Sequence, residues 1–338
     1  MNAAVIGLGW QGMRHYQALK ELGVELACVV DTDPDAVRKR VPEYPADRIY
    51  TRVSEALKAH RPQVVIIATH SAARIQNVRE VIAAGVKKIF LEKPMATTYK
   101  DCLEMKGLAD KHSCLLVVNH LRRFNPNYHK LKQLIKEGII GTIEHMYAQT
   151  GCVGLGNEGT HIIDKMRYLT GSDISWVIGF LDTTGTPNPR GPQYKDPGGW
   201  GMMRFKDGTR AFIDTCEDTG VPSVLEIVGT YGRIIIEELN NNWTILARSA
   251  QDRRLPLTKI MTPLRSMPVF LTLPWDVKEF TKAGLKELIF ENKADCSADD
   301  GCKAVEAIIA LHASHQGGGI KIDLPLGQQH HALEVAWA

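Results

Sequence analysis

The sequence predicts an α/β protein: an N-terminal doubly wound parallel sheet, then an α+β domain with an open, mainly antiparallel or mixed sheet. Three observations carry this. Short apolar strands alternate with helical segments over residues 3–119. The run VVIIAT at 64–69 is almost continuously apolar, as a parallel strand buried on both faces requires. After residue 120 the alternation gives way to a series of strand candidates separated by hairpin signals.

In order, residues 3–7 read as a buried strand, 13–22 as a helix closed by Gly23, and 25–30 as a strand ending at Asp31. Helices follow at 35–41 and 53–59, strand 64–69, helix 72–84, strand 88–92, helix 98–111 and strand 114–119. Beyond this lie helix 126–137, a turn at Gly138–Gly141, strand 143–150, a glycine-rich stretch at 151–159 and helix 160–170. Strands are then predicted at 176–181, 200–205, 209–216, 223–230, 233–239 and 242–248, with turns at KDG (206–208), TYG (230–232) and NNN (240–242). A last helix at 299–315 leads through GGG (317–319) to a short strand at 320–324. The division is 1–120 for the first domain and 121–338 for the second. Residues 183–199 form a long polar loop, a length common in active-site covers and oligomer arms.

With 338 residues, 44% hydrophobic and 23% charged, the chain is an ordinary globular one of roughly two domains of ~150 residues. A net charge of +3 with dispersed Lys and Arg argues against a nucleic-acid partner. Seven scattered cysteines with no CxxC pair argue against zinc and dithiol chemistry, so no metal is expected, and reduced thiols fit a cytoplasmic protein. The N-terminal apolar stretch reads as a strand rather than a signal peptide, and no run of about 18 apolar residues predicts a membrane span.

The first motif with chemistry is Gly7-Leu8-Gly9-Trp10-Gln11-Gly12. It follows a strand, opens a helix, and Asp31 ends the next strand 19 residues past Gly12. In a dinucleotide site Gly7 allows the tight turn, Gly9 lets the pyrophosphate approach, and Gly12 lets helix and strand pack. Asp31 would bond the ribose hydroxyls and repel a 2′-phosphate, favouring NAD, with NADP still possible. Arg38, Lys39 and Arg40 either serve a phosphate or form a solvated helix face.

The second motif is Glu92-Lys93-Pro94, at the carboxyl end of a parallel strand, where ligands of open α/β sheets bind. Lys93 there either reaches a nicotinamide edge and a substrate hydroxyl or is a surface lysine before a proline turn. The third is Gly156-Asn157-Glu158-Gly159-Thr160-His161-Ile162-Ile163-Asp164. With a helix start near Glu158, residues Glu158, His161, Asp164, Lys165 and Tyr168 share one side and Ile162, Met166 and Leu169 the other. His161 in the first turn suits proton transfer near neutrality; capping or a core position is the plainer use. Arg122, Arg123 and Tyr128 could line the cleft, or the arginines could form structural ion pairs.

These motifs, in this order, resemble the Gfo/Idh/MocA family (glucose–fructose oxidoreductase, inositol dehydrogenase). The similarity runs through GLGWQGMRH, ATH…VIAAGVKKIFLEKPMATT, GTHIIDKMRYLTG and AIIALHASHQGGGIKIDLPL. It implies a Rossmann domain, then a sheet domain whose exposed face makes a homodimer or homotetramer. It implies hydride transfer between a nicotinamide and a carbinol carbon of a sugar, sugar nucleotide or cyclitol, with Lys93 and His161 beside the reacting hydroxyl. Cofactor contacts would come from Gly7, Gly9, Trp10, Gln11, Gly12, Asp31, Thr69, His70, Glu92 and Lys93. Substrate contacts would come from Lys93, Arg122, Asn157 and His161.

The chain departs from that pattern. Asn157 stands where many members carry the aspartate that pairs with the histidine, a variant also resembling sugar-nucleotide 3-dehydrogenases. In ATH70-S-A-A-R74, His70 replaces a proline and Arg74 a histidine. Glu158 either substitutes for the missing carboxylate or complements the helix dipole. Two other readings remain: an NAD-retaining lyase or glycosidase acting through transient oxidation, and a non-catalytic dinucleotide-binding sensor.

Overall fold

The computed structural model describes residues 1–151, 154–183, 185, 191, 193–259, 261–269, 273–335 and 337. The chain groups into two compact units: Met1–Phe124 with Asp276–Val305, and Asn125–Trp275 with Glu306–Ala338. A contiguous division at 120/121 leaves out the return of 276–305 to the first unit.

In the first unit β1 (Asn2–Ile6), α1 (Trp10–Glu21), β2 (Glu25–Val30), α2 (Pro34–Arg40), β3 (Ile49–Tyr50) and α3 (Val53–His60) follow in order. Then come β4 (Val64–Ile67), α4 (Ser71–Ala83), β5 (Lys88–Leu91), α5 (Tyr99–Lys111) and β6 (Leu115–Val118). The strands form one parallel sheet in the order β3-β2-β1-β4-β5-β6. All four residues of β4 are fully buried, which is why its sequence shows no polar alternation. The strand order reverses between β1 and β4, so their carboxyl ends border the crevice where such sheets bind ligands.

The second unit holds α6 (Pro126–Lys136), β7 (Ile143–Gln149), α7 (Thr160–Thr170), β8 (Ile174–Leu181), β9 (Gly199–Phe205) and β10 (Arg210–Asp214). They are followed by β11 (Val224–Gly229), β12 (Gly232–Glu237), β13 (Asn242–Ala247), β14 (Arg265–Met267) and β15 (Ile322–Asp323). The sheet order is β14-β13-β12-β11-β7-β10-β9-β8-β15. Only the β7–β10 pair is parallel among the described pairings. Period-two alternation sorts the faces: Val177, Met203, Ile213 and Met146 are buried, while the register row Ile178–Met202–Phe212–Tyr147 lies on the other face. That second face carries stacked pairs, Phe180 on Trp200 and Tyr147 on Phe212, and leaves Trp200 and Met202 exposed.

Helix α8 (Val277–Lys286) and strands β3 and β14 are elements the sequence reading did not anticipate. Asp276 caps α8 by accepting from the Lys278 and Glu279 N–H groups, and Phe280, Thr281, Gly284 and Leu285 are buried. Gly284 is small for a reason: a Cβ there would sit 2.7 Å from the Phe124 ring. Helix α9 (Ala298–Gln316) begins in the first unit and ends in the second. The strand expected at 320–324 shortens to Ile322–Asp323. Of the 183–199 loop, residues 184, 186–190 and 192 lie outside the described residues, and with them the cover-or-arm reading of that part.

Candidate active site

The glycine turn grows out of β1. Gly7 has φ 87°, and a Cβ there would press on the Ala68 backbone at 3.0 Å. At Gly12 a Cβ would strike the Gly7 carbonyl oxygen, so helix and turn can pack only without one. Gly9 differs. A Cβ there meets nothing within 4 Å, and Gly9 begins α1 with no side-chain cap. The protein therefore leaves open the space over Gly9 and the first N–H groups of α1, the arrangement that accepts a pyrophosphate. The turn thus fits a dinucleotide.

Asp31 also holds this turn in place. Its Oδ2 accepts from the Leu8 N–H at 2.8 Å and its Oδ1 from the Asp33 N–H at 3.0 Å. A carboxylate has about four lone-pair sites, so acceptor capacity remains for ribose hydroxyls. Of the three basic residues in α2, Arg40 folds back to donate to the Leu8 carbonyl at 3.2 Å, whereas Arg38 pairs with Asp35 at 2.6 Å. Trp10 is 78% exposed with the Arg14 guanidinium over its ring, and Gln11 accepts from Arg14 at 3.0 Å.

The Glu92-Lys93-Pro94 segment leaves β5 across a buried polar network. Glu92 Oε1 is 2.8 Å from His15 Nε2 and accepts from Asn119 Nδ2 at 2.8 Å, while Oε2 accepts from the Lys93 N–H at 3.2 Å. Burial pushes the Glu92 carboxyl up, but hydrogen bonds from His15 and Asn119 and the charges of His15 and Arg74 outweigh it, lowering it to about 2. Arg74, in α4, donates through Nε to the Thr69 carbonyl at 2.9 Å and through Nη1 to the carbonyls of Glu92, at 2.8 Å, and Pro94. One guanidinium thus ties the end of β4 to both sides of Lys93. Lys93 itself is half-buried, Thr69 donates to Asn77 at 2.9 Å, and exposed His70 begins α4. The sequence reading missed His15 and Asn119 and gave Arg74 no task. A histidine three residues past Gly12 was visible, but its partner lies 77 residues away.

In the second unit Gly154–Gly159 form one wide helical turn that runs directly into α7. The helical stretch therefore begins before Glu158 rather than at it. Most of the expected polar side of α7 is buried as well: His161 is 5% exposed and Asp164 and Lys165 are buried, Tyr168 is half-buried, and Arg167, on neither expected side, is buried with Ile162, Ile163 and Met166. Packing by α6 and β7 encloses it, and the charges are paired in place. Lys165 lies 3.2 Å from Glu238, and Arg167 lies 2.7 Å from Asp173 and 3.9 Å from Asp164. Asn157 and Glu158 are half-buried, and the Asn157 N–H donates to Asp196.

Tyr128 does not line a cleft. It is fully buried, donates its hydroxyl to Glu238 and packs edge-on against Trp243. Its ring needs burial, and its hydroxyl needs an acceptor within that core. Arg123 takes the structural role, 2.9 Å from Asp300 and donating to the Asp295 carbonyl at 3.1 Å. Arg122 is buried in the turn Leu121–Phe124. Among the described residues no group of His, Cys, Asp and Glu could hold a metal ion, and no helix is long and apolar enough to cross a membrane.

Residues 1–120 match the oxidoreductase family with an NAD-binding Rossmann fold, and residues 128–235 match the GFO/IDH/MocA C-terminal domain. The chain belongs to the Gfo/Idh/MocA oxidoreductase family. Its N-terminal part carries the NAD-binding Rossmann fold of that oxidoreductase family. The chain is 25% identical over 260 residues to inositol 2-dehydrogenase 2 of Paenarthrobacter aurescens, covering 70% of this chain and 76% of that one. It is 28% identical over 187 residues to an inositol 2-dehydrogenase of Ralstonia nicotianae, covering 51% of this chain and 55% of that one. The chain thus spans about half the length of several curated relatives it matches, 55% for Ralstonia. Levoglucosan dehydrogenase in complex with NADH has the same fold, with TM-score 0.80 and 20% identity over 97% of this chain and 100% of that one. WlbA dehydrogenase from Bordetella pertussis, in complex with NADH and UDP-GlcNAcA, gives TM-score 0.76 and 19% identity over 96% and 99%. The comparisons lend no support to the lyase, glycosidase or sensor readings.

Proposed function

We propose that this protein is an NAD-dependent dehydrogenase that transfers hydride between the nicotinamide and a carbinol carbon of a sugar, sugar nucleotide or cyclitol. The observation that carries the reading is the glycine turn left open over Gly9, in one chain with an anchored Lys93 and a helix-borne His161. Two relatives are named for inositol and levoglucosan, and WlbA dehydrogenase is in complex with UDP-GlcNAcA, which supports a polyhydroxylated substrate.

When bound, NAD supplies the hydride acceptor. Gly7, Gly9, Trp10, Gln11 and Gly12 hold the pyrophosphate, Asp31 the ribose, and Thr69, His70 and Glu92 border the remaining cofactor contacts. Lys93 and His161 are the catalytic pair: the ammonium of Lys93 orients the hydroxyl, and the imidazole of His161 takes its proton as hydride leaves the carbon. Asn157, a neutral amide, binds a substrate hydroxyl and leaves the proton to His161. Arg122 completes the substrate contacts. A cytoplasmic location, and a homodimer or homotetramer formed through the Phe180–Trp200–Phe212–Tyr147 sheet face, belong to the same proposal.

The test is reduction of NAD, read as the absorbance of reduced nicotinamide, across myo-inositol, levoglucosan, UDP-GlcNAcA and common hexoses. The reading expects turnover with at least one of these. Bond cleavage without net NADH, or tight NAD binding without turnover across the panel, contradicts it.

A further inference from the structure

The end of the long polar loop lies on the turn that leads into the His161 helix. Asp196 is 6% exposed, and its carboxylate takes two successive backbone N–H groups, Oδ1 from Gly156 at 2.7 Å and Oδ2 from Asn157 at 2.8 Å. The Pro197 carbonyl takes the preceding N–H, that of Leu155, at 3.0 Å. Three consecutive donors are thus claimed by two adjacent residues from about 40 positions further along the chain.

The sequence of the turn is fitted to this. Gly154 has φ 74°, and a Cβ there would collide with the Asp196 carboxylate. At Gly156 a Cβ would sit 2.5 Å from the indole of Trp337, itself 2% exposed. One side of the turn meets Asp196 and another meets Trp337, and both glycines are needed for that closeness.

N–H groups at a helix start have no intrahelical partner, and a carboxylate bonded to them gains from charge-assisted hydrogen bonds and the helix dipole. Two bonds from one planar carboxylate fix the peptide planes around Gly156 and Asn157. They fix the direction in which the Asn157 side chain leaves the backbone and, four residues later, that of His161.

We propose that Asp196 is the positioning residue of the acid–base helix. It supplies through the backbone the orienting carboxylate that Asn157 does not supply through its side chain. The proposal rests on His161 as the proton acceptor. A misplacement of about 1 Å in a catalytic group costs on the order of 10²-fold in rate, so losing this clamp is visible in kcat.

The experiment compares Asp196→Ala, the isosteric Asp196→Asn and Ser314→Ala with the parent protein, each saturated with NAD. Ser314 is a fair control because its buried hydroxyl also serves two backbone groups, Gly179 N–H and the Ile320 carbonyl. Two readouts are taken: kcat per NAD-binding site, with the fastest substrate of the panel above, and amide hydrogen exchange in the peptide spanning 154–165. Asp196→Ala is expected to lose about 30- to 100-fold in kcat, with NAD affinity within about twofold and faster exchange at Gly156 and Asn157. Asp196→Asn keeps one acceptor oxygen and is expected to recover part of the rate; it carries the test where Asp196→Ala does not fold. Ser314→Ala is expected to lose stability with kcat within about twofold. Near-normal kcat in the Asp196 variants, an equal kcat loss in Ser314→Ala, or unchanged exchange at Gly156 and Asn157 overturns the proposal. Absence of turnover in the parent protein sinks the dehydrogenase reading instead, and the exchange readout then decides the clamp by itself.

Discussion

Arg74 and Glu92 are joined side chain to backbone: Arg74 Nη1 donates to the Glu92 carbonyl oxygen at 2.8 Å, and the same nitrogen reaches the Pro94 carbonyl. Lys93 is therefore flanked on both sides by peptide groups that one guanidinium holds. The bond from Arg74 Nε to the Thr69 carbonyl needs the fixed fork of arginine, which a lysine ammonium does not reproduce. Arg74→Lys is expected to fold, to bind NAD within a few-fold of normal, and to lose about tenfold or more in kcat as Lys93 loosens. Steady-state kinetics with fluorescence titration of NAD checks this, and an unchanged kcat contradicts it.

Glu92 predicts a pH dependence of stability. Its carboxyl lies at about 2 in the folded protein against an ordinary 4.5. The folded value is the lower, so the unfolded chain binds the proton first as pH falls. The stabilisation is whole above about pH 4.5 and disappears between 4.5 and 2. Glu92→Gln removes that dependence and leaves a shallower acid limb, with stability at pH 7 lower by roughly 1–3 kcal/mol from the altered bond to His15. Denaturant midpoints measured across this range decide it; an acid limb as steep as that of the parent protein contradicts the assignment.

How much of this was legible in the sequence depends on the range of the interactions. The Rossmann strands were readable because β4 and its neighbours are buried on both faces and show it as unbroken apolar runs. The Gly7–Gly12 turn was readable because turn, helix start and Asp31 follow one another within a short stretch. His15, Asn119 and Arg74 meet Glu92 only after the sheet has assembled, so no local pattern marks them. Helix α8 was passed over although Asp276, Phe280 and Leu285 carry its cap and its period; Gly284, needed for the Phe124 ring, weakens the helical signal. The burial of α7 was not readable, because Lys165 and Arg167 look solvent-facing until Glu238 and Asp173 are placed beside them. Asp196 stands in a polar loop whose local sequence gives no hint of the Gly156 and Asn157 amides.

The contrast between two glycines tests the phosphate cradle. A Cβ at Gly9 meets nothing within 4 Å beyond its own chain neighbours, so Gly9→Val is expected to fold normally and to lose dinucleotide binding by at least about 100-fold. Gly12→Val is expected to destabilise the fold itself, since its Cβ strikes the Gly7 carbonyl. Calorimetry of NAD binding alongside thermal melts separates the two. Normal NAD affinity in folded Gly9→Val removes the cradle reading.

The proposed ribose contact at Asp31 predicts the choice of cofactor. A carboxylate there repels a 2′-phosphate, so NAD is expected to bind more tightly than NADP. Asp31→Ala is expected to narrow that preference by about tenfold, while also weakening NAD through loss of the bond to the Leu8 N–H. Arg40, already held at the Leu8 carbonyl, is a cation available to a 2′-phosphate in that variant. Parallel titrations with the two cofactors check this, and a parent protein that prefers NADP contradicts it.

The central claim is that Lys93 and His161 act together on the carbinol proton, and single-turnover hydride transfer in Lys93→Met and His161→Ala tests it most directly. Enzyme saturated with NAD is mixed with the panel substrate and NADH formation is followed in one cycle. Each variant is expected to be about 10²- to 10⁴-fold slower than the parent protein, with NAD affinity largely kept. A double variant no slower than the slower single one would fit two groups acting as a unit. Near-normal hydride transfer in both single variants would contradict the dehydrogenase mechanism proposed for this chain.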